Sequence, residues 1–151
     1  MERKVCMTLV MFMVILFFGG CVTSLQDYKP ISSDEANVKE FFILMENAWN
    51  NKDINGVLAL YHDNAKIMSG RERKIFSKRE YTESLGNLKG VGKIKFGIPK
   101  MIKFVKFYEN KNRAKVDISM ILQYENVVLQ AKFTLVRSSG SWLILKRTYT
   151  Y

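Results

Sequence analysis

From Ser32 onward the apolar positions repeat with two different periods, and the change between them divides the chain. Val38, Phe41, Phe42, Met45, Ala48 and Trp49 fall on one side of a helix. That helix is opened by Ser32-Ser33-Asp34-Glu35, in which a serine hydroxyl and a following glutamate satisfy the first backbone N–H groups. Asn50-Asn51-Lys52 breaks it, and Asp53 caps a second short helix with Ile54, Val57, Leu58 and Tyr61 inward. His62-Asp63-Asn64 ends that helix, residues 65–69 read as a short strand, and residues 70–74 as a charged turn. Ser77-Lys78-Arg79-Glu80 is a second capping box, predicting a third helix with Tyr81, Leu85 and Leu88 inward and Gly90 just past its end.

After Gly90 the period falls to two. Residues 93–98 and 101–108 read as extended, with Pro99 interrupting them and residues 109–112 turning the chain. Ala114, Val116, Ile118, Met120, Leu122 and Tyr124 share one face, opposite Lys115, Asp117, Ser119 and Gln123. Val127, Leu129, Ala131, Phe133 and Leu135 repeat the pattern, residues 138–141 turn, and residues 142–150 close the sheet. Helices first and strands afterwards predict an α+β domain, its N-terminal helices packed on one face of an antiparallel sheet.

The first twenty residues follow other rules. Glu2, Arg3 and Lys4 precede an apolar run over residues 5–18, shorter than the roughly 20 residues a membrane-spanning helix needs. This is the pattern of an export signal, with a short uncleaved anchor as the alternative. Phe18-Gly19-Gly20-Cys21 resembles the lipobox of bacterial lipoproteins, with phenylalanine where leucine is usual. That resemblance implies cleavage before Cys21 and a diacylglycerol on its thiol, hence an exported chain held by lipid at a cell or outer membrane. The expected divisions are a signal peptide over 1–20, a tether over 21–33 containing Pro30, and a domain over 34–151. Cys6 would be discarded and Cys21 acylated, so no thiol remains for a disulfide, a zinc site or a nucleophile.

Charge narrows the choice of partner. The whole chain carries +10; removing Glu2, Arg3 and Lys4 takes away a net +1 and leaves +9. In an envelope setting this favours phospholipid headgroups, lipopolysaccharide or teichoic-type polymers over nucleic acid, against the simpler reading of a solvated lysine-rich surface. The basic residues concentrate in 89–115, where Lys89, Lys93, Lys95, Lys100, Lys103, Lys106, Lys111, Arg113 and Lys115 meet a single acid, Glu109. The candidates for facing an anion are Lys93, Lys95, Lys100, Lys103, Lys106, Lys111 and Arg113; edge-strand lysines that prevent aggregation are the alternative.

Four segments in order resemble the NTF2-like superfamily, which includes SnoaL-like and ketosteroid-isomerase-like proteins. They are Trp49-Asn50-Asn51-Lys52-Asp53, Leu60-Tyr61-His62-Asp63-Asn64-Ala65, Phe76-Ser77-Lys78-Arg79-Glu80-Tyr81 and Ser141-Trp142-Leu143-Ile144. The resemblance implies a cone: a strongly curved sheet wrapped around the first helix, with a pocket at the open end and, in many members, a homodimer through the outer sheet face. The fold hosts both enzymes and binding domains, so it does not fix a function.

Its enzymes place an aspartate or histidine and a tyrosine or protonated acid inside the cone. Here the inward positions of the two clearest strands hold only apolar residues. His62 and Asp63 are the best catalytic alternatives, although each also suits a helix-end or turn role, and Asp117 suits a solvated or cross-strand pair. With one histidine, no metal site is expected, and no cofactor. Phe42, Trp49, Tyr61, Tyr81, Tyr124, Phe133 and Trp142 either fill the core or line a pocket for an apolar or planar ligand. Three functions remain: a non-catalytic domain binding a small ligand or an envelope protein, an isomerase- or hydrolase-type enzyme, and an electrostatic adaptor acting through residues 89–115.

Overall fold

The computed structural model describes residues 22–68, 73–85, 92–99, 103–123 and 127–150. Cys21, Leu88, Lys89, Gly90, Lys100 and Tyr124 lie outside them, as does the whole proposed signal segment. Three helices, α1 (Ser33–Asn50), α2 (Ile54–Ala59) and α3 (Lys78–Ser84), pack with eight strands. The strands are β1 (Val22–Ser24), β2 (Tyr61–Met68), β3 (Ile75–Ser77), β4 (Ile94–Pro99), β5 (Val105–Tyr108), β6 (Arg113–Leu122), β7 (Val127–Ser138) and β8 (Ser141–Thr150).

The predicted caps form. Ser32 is extended and its hydroxyl accepts from the Glu35 N–H, while the Glu35 carboxylate reaches one residue further back than a capping box requires, to Ile31 N–H at 2.7 Å. Asp53 caps α2 through Gly56 N–H at 2.8 Å, and Ser77 and Glu80 complete a reciprocal box on α3. The α1 stripe of Val38, Phe41, Phe42 and Met45 is buried, with Phe42 at its centre. The Phe42 ring meets Phe133 at 4.9 Å, Phe41 at 5.3 Å and Phe96 at 5.4 Å, all edge-on.

The sheet runs β1-β4-β6-β7-β8-β2-β3, with β5 pairing on β6 beside β4. β4 covers the second half of β6 (Ile94↔Leu122 to Gly97↔Ser119) and β5 the first (Val105↔Val116 to Tyr108↔Arg113). One junction departs from the antiparallel expectation: β2 and β8 pair in parallel. β2 also begins earlier than predicted. His62, Asp63 and Asn64 lie within it rather than ending a helix, and β3 pairs with it as a short extra strand.

The largest difference is at the start. Residues 22–33 were expected to be a free tether, yet Val22–Ser24 form an edge strand on β4 and Leu25 is fully buried. Tyr28 packs edge-on against Phe104 at 5.1 Å, and Lys39 Nζ donates to the carbonyls of Gln26 and Tyr28 at 2.9 and 2.8 Å. The edge of β4 explains why this segment docks. The Phe96 carbonyl accepts from Leu25 N–H, while the Phe96 N–H is taken by Glu46 and the Ile94 backbone by both atoms of the Asn50 amide. These bonds satisfy backbone groups that a bare edge would leave open.

Candidate functional site

β8 is where simple alternation fails. Trp142 and Ile144 point into the cone, and strict alternation would send Lys146 inward and Arg147 out. Instead Ile144 pairs with Leu135 and Lys146 with Thr134, so Leu145 is an extra residue, and the bulge turns the strand over. Arg147, opposite Phe133 on one side and Ile67 on the other, therefore enters the interior and is only 4% exposed.

No carboxylate meets it among the described residues. Arg147 Nη1 donates to the hydroxyls of Tyr61 at 2.7 Å and Tyr81 at 3.1 Å, and Nη2 reaches the Met68 carbonyl at a marginal 3.5 Å. Three rings surround the cation, with centroids at 4.8 Å (Tyr81), 5.5 Å (Tyr149) and 5.7 Å (Tyr61). The Nε–H has no acceptor. Burial works against this charge, but the tyrosines hold the guanidinium above its ordinary pKa. Burial pushes the Tyr61 hydroxyl well up although Arg147 opposes the shift, so it remains protonated at neutral pH.

A buried ion costs several kcal/mol in desolvation, and an unmet donor of a charged group adds to that. The cluster is therefore a fixed, permanent cation with an unused N–H and two hydroxyls, in a low-dielectric setting that strengthens attraction for an anion. It supplies donors, and no described carboxylate or imidazole stands beside it as a base.

The catalytic alternatives lie elsewhere. Asp63 is 92% exposed and paired with Lys78 at 2.9 Å, which holds its carboxyl below the usual range. His62 is half-buried, and its Nδ1 accepts from Asn64 N–H at 3.1 Å. Asp117 pairs across strands with Lys132 at 3.7 Å, as the alternation suggested. Among the described residues no group of three His, Cys, Asp or Glu side chains could hold a metal ion, and no helix is long and apolar enough to cross a membrane.

The aromatic candidates divide into separate places. Phe42 and Phe133 are packed core, Tyr61 and Tyr81 belong to the Arg147 cluster, and Trp49 is half-buried with its indole N–H unpartnered. Trp142 lies where α1 begins, 6.2 Å from Phe107 and 4.8 Å from the Arg137 guanidinium. Arg137 and Lys111 both bind Asp34, at 2.7 and 2.8 Å, and Arg113 pairs with Glu109 at 3.0 Å. Lys111 and Arg113 are thus engaged within the fold. Lys93, Lys95, Lys103 and Lys106 are exposed.

No protein-family model matches the sequence, and neither does any curated protein. Solved structures do. A Xanthomonas campestris protein provisionally named a calcium/calmodulin dependent protein kinase II association domain is 15% identical, with a TM-score of 0.67 over 84% of this chain and 92% of its own. An NTF-2 like protein of unknown function from Shewanella oneidensis is 17% identical, with a TM-score of 0.61 over 77% and 98%. A Novosphingobium aromaticivorans protein provisionally named a scytalone dehydratase is 11% identical, with a TM-score of 0.58 over 77% and 83%. Similarity at this identity carries the fold alone. Together with the curved sheet wrapped around α1, it shows that this chain has the NTF2-like α+β cone fold.

Proposed function

We propose that the chain is a lipid-anchored cell-envelope lipoprotein whose cone binds, without catalysis, a small and largely apolar ligand through an anionic group held at Arg147. The observation that carries the cone reading is the buried guanidinium, with tyrosine hydroxyls as its partners and its Nε–H unused. A carboxylate, sulfonate or phosphate would take that donor and neutralise the charge, while the tyrosine rings would favour an apolar or planar body beside it. Binding is preferred to isomerase or hydrolase chemistry because such chemistry needs a base close to the substrate, and the exposed Asp63 and the engaged His62 are poorly set for that role. The lipoprotein reading rests on residues 18–21.

Two experiments test the two halves. Intact mass and detergent partitioning of the chain made in a bacterial host should show a diacylglycerol-sized increase on a chain beginning at Cys21, lost in Cys21→Ser; an unmodified soluble chain would refute the anchor. For the cone, fluorescence titration with 8-anilinonaphthalene-1-sulfonate should give saturable binding weakened about tenfold or more by Arg147→Met. Binding of uncharged N-phenyl-1-naphthylamine should change little. Equal losses for both dyes would refute the anion site.

A further inference from the structure

The strand register builds a row of lysines that the sequence does not reveal. On the outer face of the sheet, Lys106 of β5 stands opposite Lys115 of β6, Lys115 opposite Thr134 of β7, Thr134 opposite Lys146 of β8, and Lys146 beside Lys66 of β2. All four lysines are exposed, and their inner neighbours Val105, Val116, Phe133, Arg147 and Ile67 are buried, which fixes the side on which they stand. At about 4.8 Å per strand the row spans about 19 Å.

Like charges directly opposite one another oppose sheet formation, so folding gives no reason for this arrangement. Lys115 lies over the Tyr108 ring, and no ion pair is formed by Lys66, Lys106 or Lys146 among the described residues. Lys95 and Lys132 stand on the same face, and Asp117 is the one acid within strands β4 to β8. Two copies packed through this face would set lysines against lysines.

The start of the domain adds a direction. Val22 is already part of the sheet, paired with Pro99, and its side chain leans over Gly97 on the outer face. Gly97 is paired with Ser119, four residues along β6 from Lys115, or about 13 Å. A lipid on Cys21 would therefore enter the membrane beside this face, with no flexible spacer to lift the domain away.

We infer that the outer sheet face lies on an anionic phospholipid surface, with the row Lys66, Lys106, Lys115 and Lys146 against the headgroups. The inference borrows the lipid anchor of the proposed function and is independent of the cone. It keeps Lys106 and Lys115 of the 89–115 segment, joins them to Lys66 and Lys146 from other strands, and leaves out Lys111 and Arg113, which are ion-paired.

The test is lysine footprinting of the full chain, purified in detergent and reconstituted into vesicles of phosphatidylcholine alone or with about one part in three phosphatidylglycerol. Acetylation of the four lysines, read by mass spectrometry, should be about fivefold slower on the anionic vesicles and recover at high salt. Lys111, held by Asp34 at the start of α1, should react equally on both. Reactivity of the four on both vesicles equal to that in detergent would overturn the inference, and an equal slowing on both that high salt does not reverse would overturn it in favour of self-association through this face. Intact mass of the same sample keeps the two readings apart. An acylated chain without protection loses the face and keeps the anchor; an unacylated chain with protection loses the anchor and keeps the face.

Discussion

Arg137 and Arg147 both place a guanidinium 4.8 Å from an aromatic centroid, and both have an Nε–H without a partner. They differ in their counter-ion. Arg137 shares Asp34 with Lys111 where α1 begins, so it has a carboxylate partner and fastens that helix to β7 and the β5–β6 turn. Arg147 is more deeply buried and has tyrosines in place of a carboxylate. Among the described residues the fold thus supplies a carboxylate to Arg137, where the charge serves the architecture, and none to Arg147 inside the cone. A charge kept without its counter-ion is available to a ligand.

The widest separation should come from Arg147→Met. It removes a desolvated charge and keeps much of the volume, so stability to urea should hold or rise by about 1–4 kcal/mol while affinity for an anionic dye falls. A loss of several kcal/mol would make Arg147 a structural residue like Arg137. Tyr61→Phe should act in the opposite sense, lowering stability by about 1–3 kcal/mol, because the guanidinium stays and loses its shortest hydrogen bond. At the other end, Asp34→Asn should lower the melting temperature modestly. Lys111 and Arg137 hold the folded carboxyl of Asp34 below its ordinary value, so its contribution is complete above the usual carboxylate range and is lost as pH falls through the lowered folded value. Urea midpoints of wild type and variant should therefore converge in strong acid; a constant difference would show that Asp34 does not act through its charge. The smallest effect is expected at Ser77→Ala, which removes the α3 cap beneath Tyr81 and should cost about 1 kcal/mol, with a small loss of dye affinity.

Local rules carried most of the architecture. The three caps, the α1 stripe and the alternation on β6 and β7 are each decided by neighbours within a few residues, and all were legible. What escaped depends on pairing. The bulge at Leu145 reverses the faces of β8, so the alternation seen from Trp142 and Ile144 hides Arg147. The one retrospective signal is the spacing of Arg147 and Tyr149, an inward-compatible pair once the strand is turned over. The lysine row likewise joins residues 66, 106, 115 and 146, neighbours only through strand register. The β1 edge was missed because Val22–Ser24 is too short to show a period, and its stability comes from the open edge of β4.

The most direct test is a nitrogen-15 NMR titration of the arginine Nε–Hε signals with benzoate, Arg147 being assigned by its loss in Arg147→Met. The Arg147 signal should shift saturably with benzoate, stay still with the uncharged cyclohexanol, and move far more than that of Arg137. An Arg147 signal unmoved by benzoate, or moving only in step with Arg137, would contradict the claim that the cone keeps a charge for an anionic ligand.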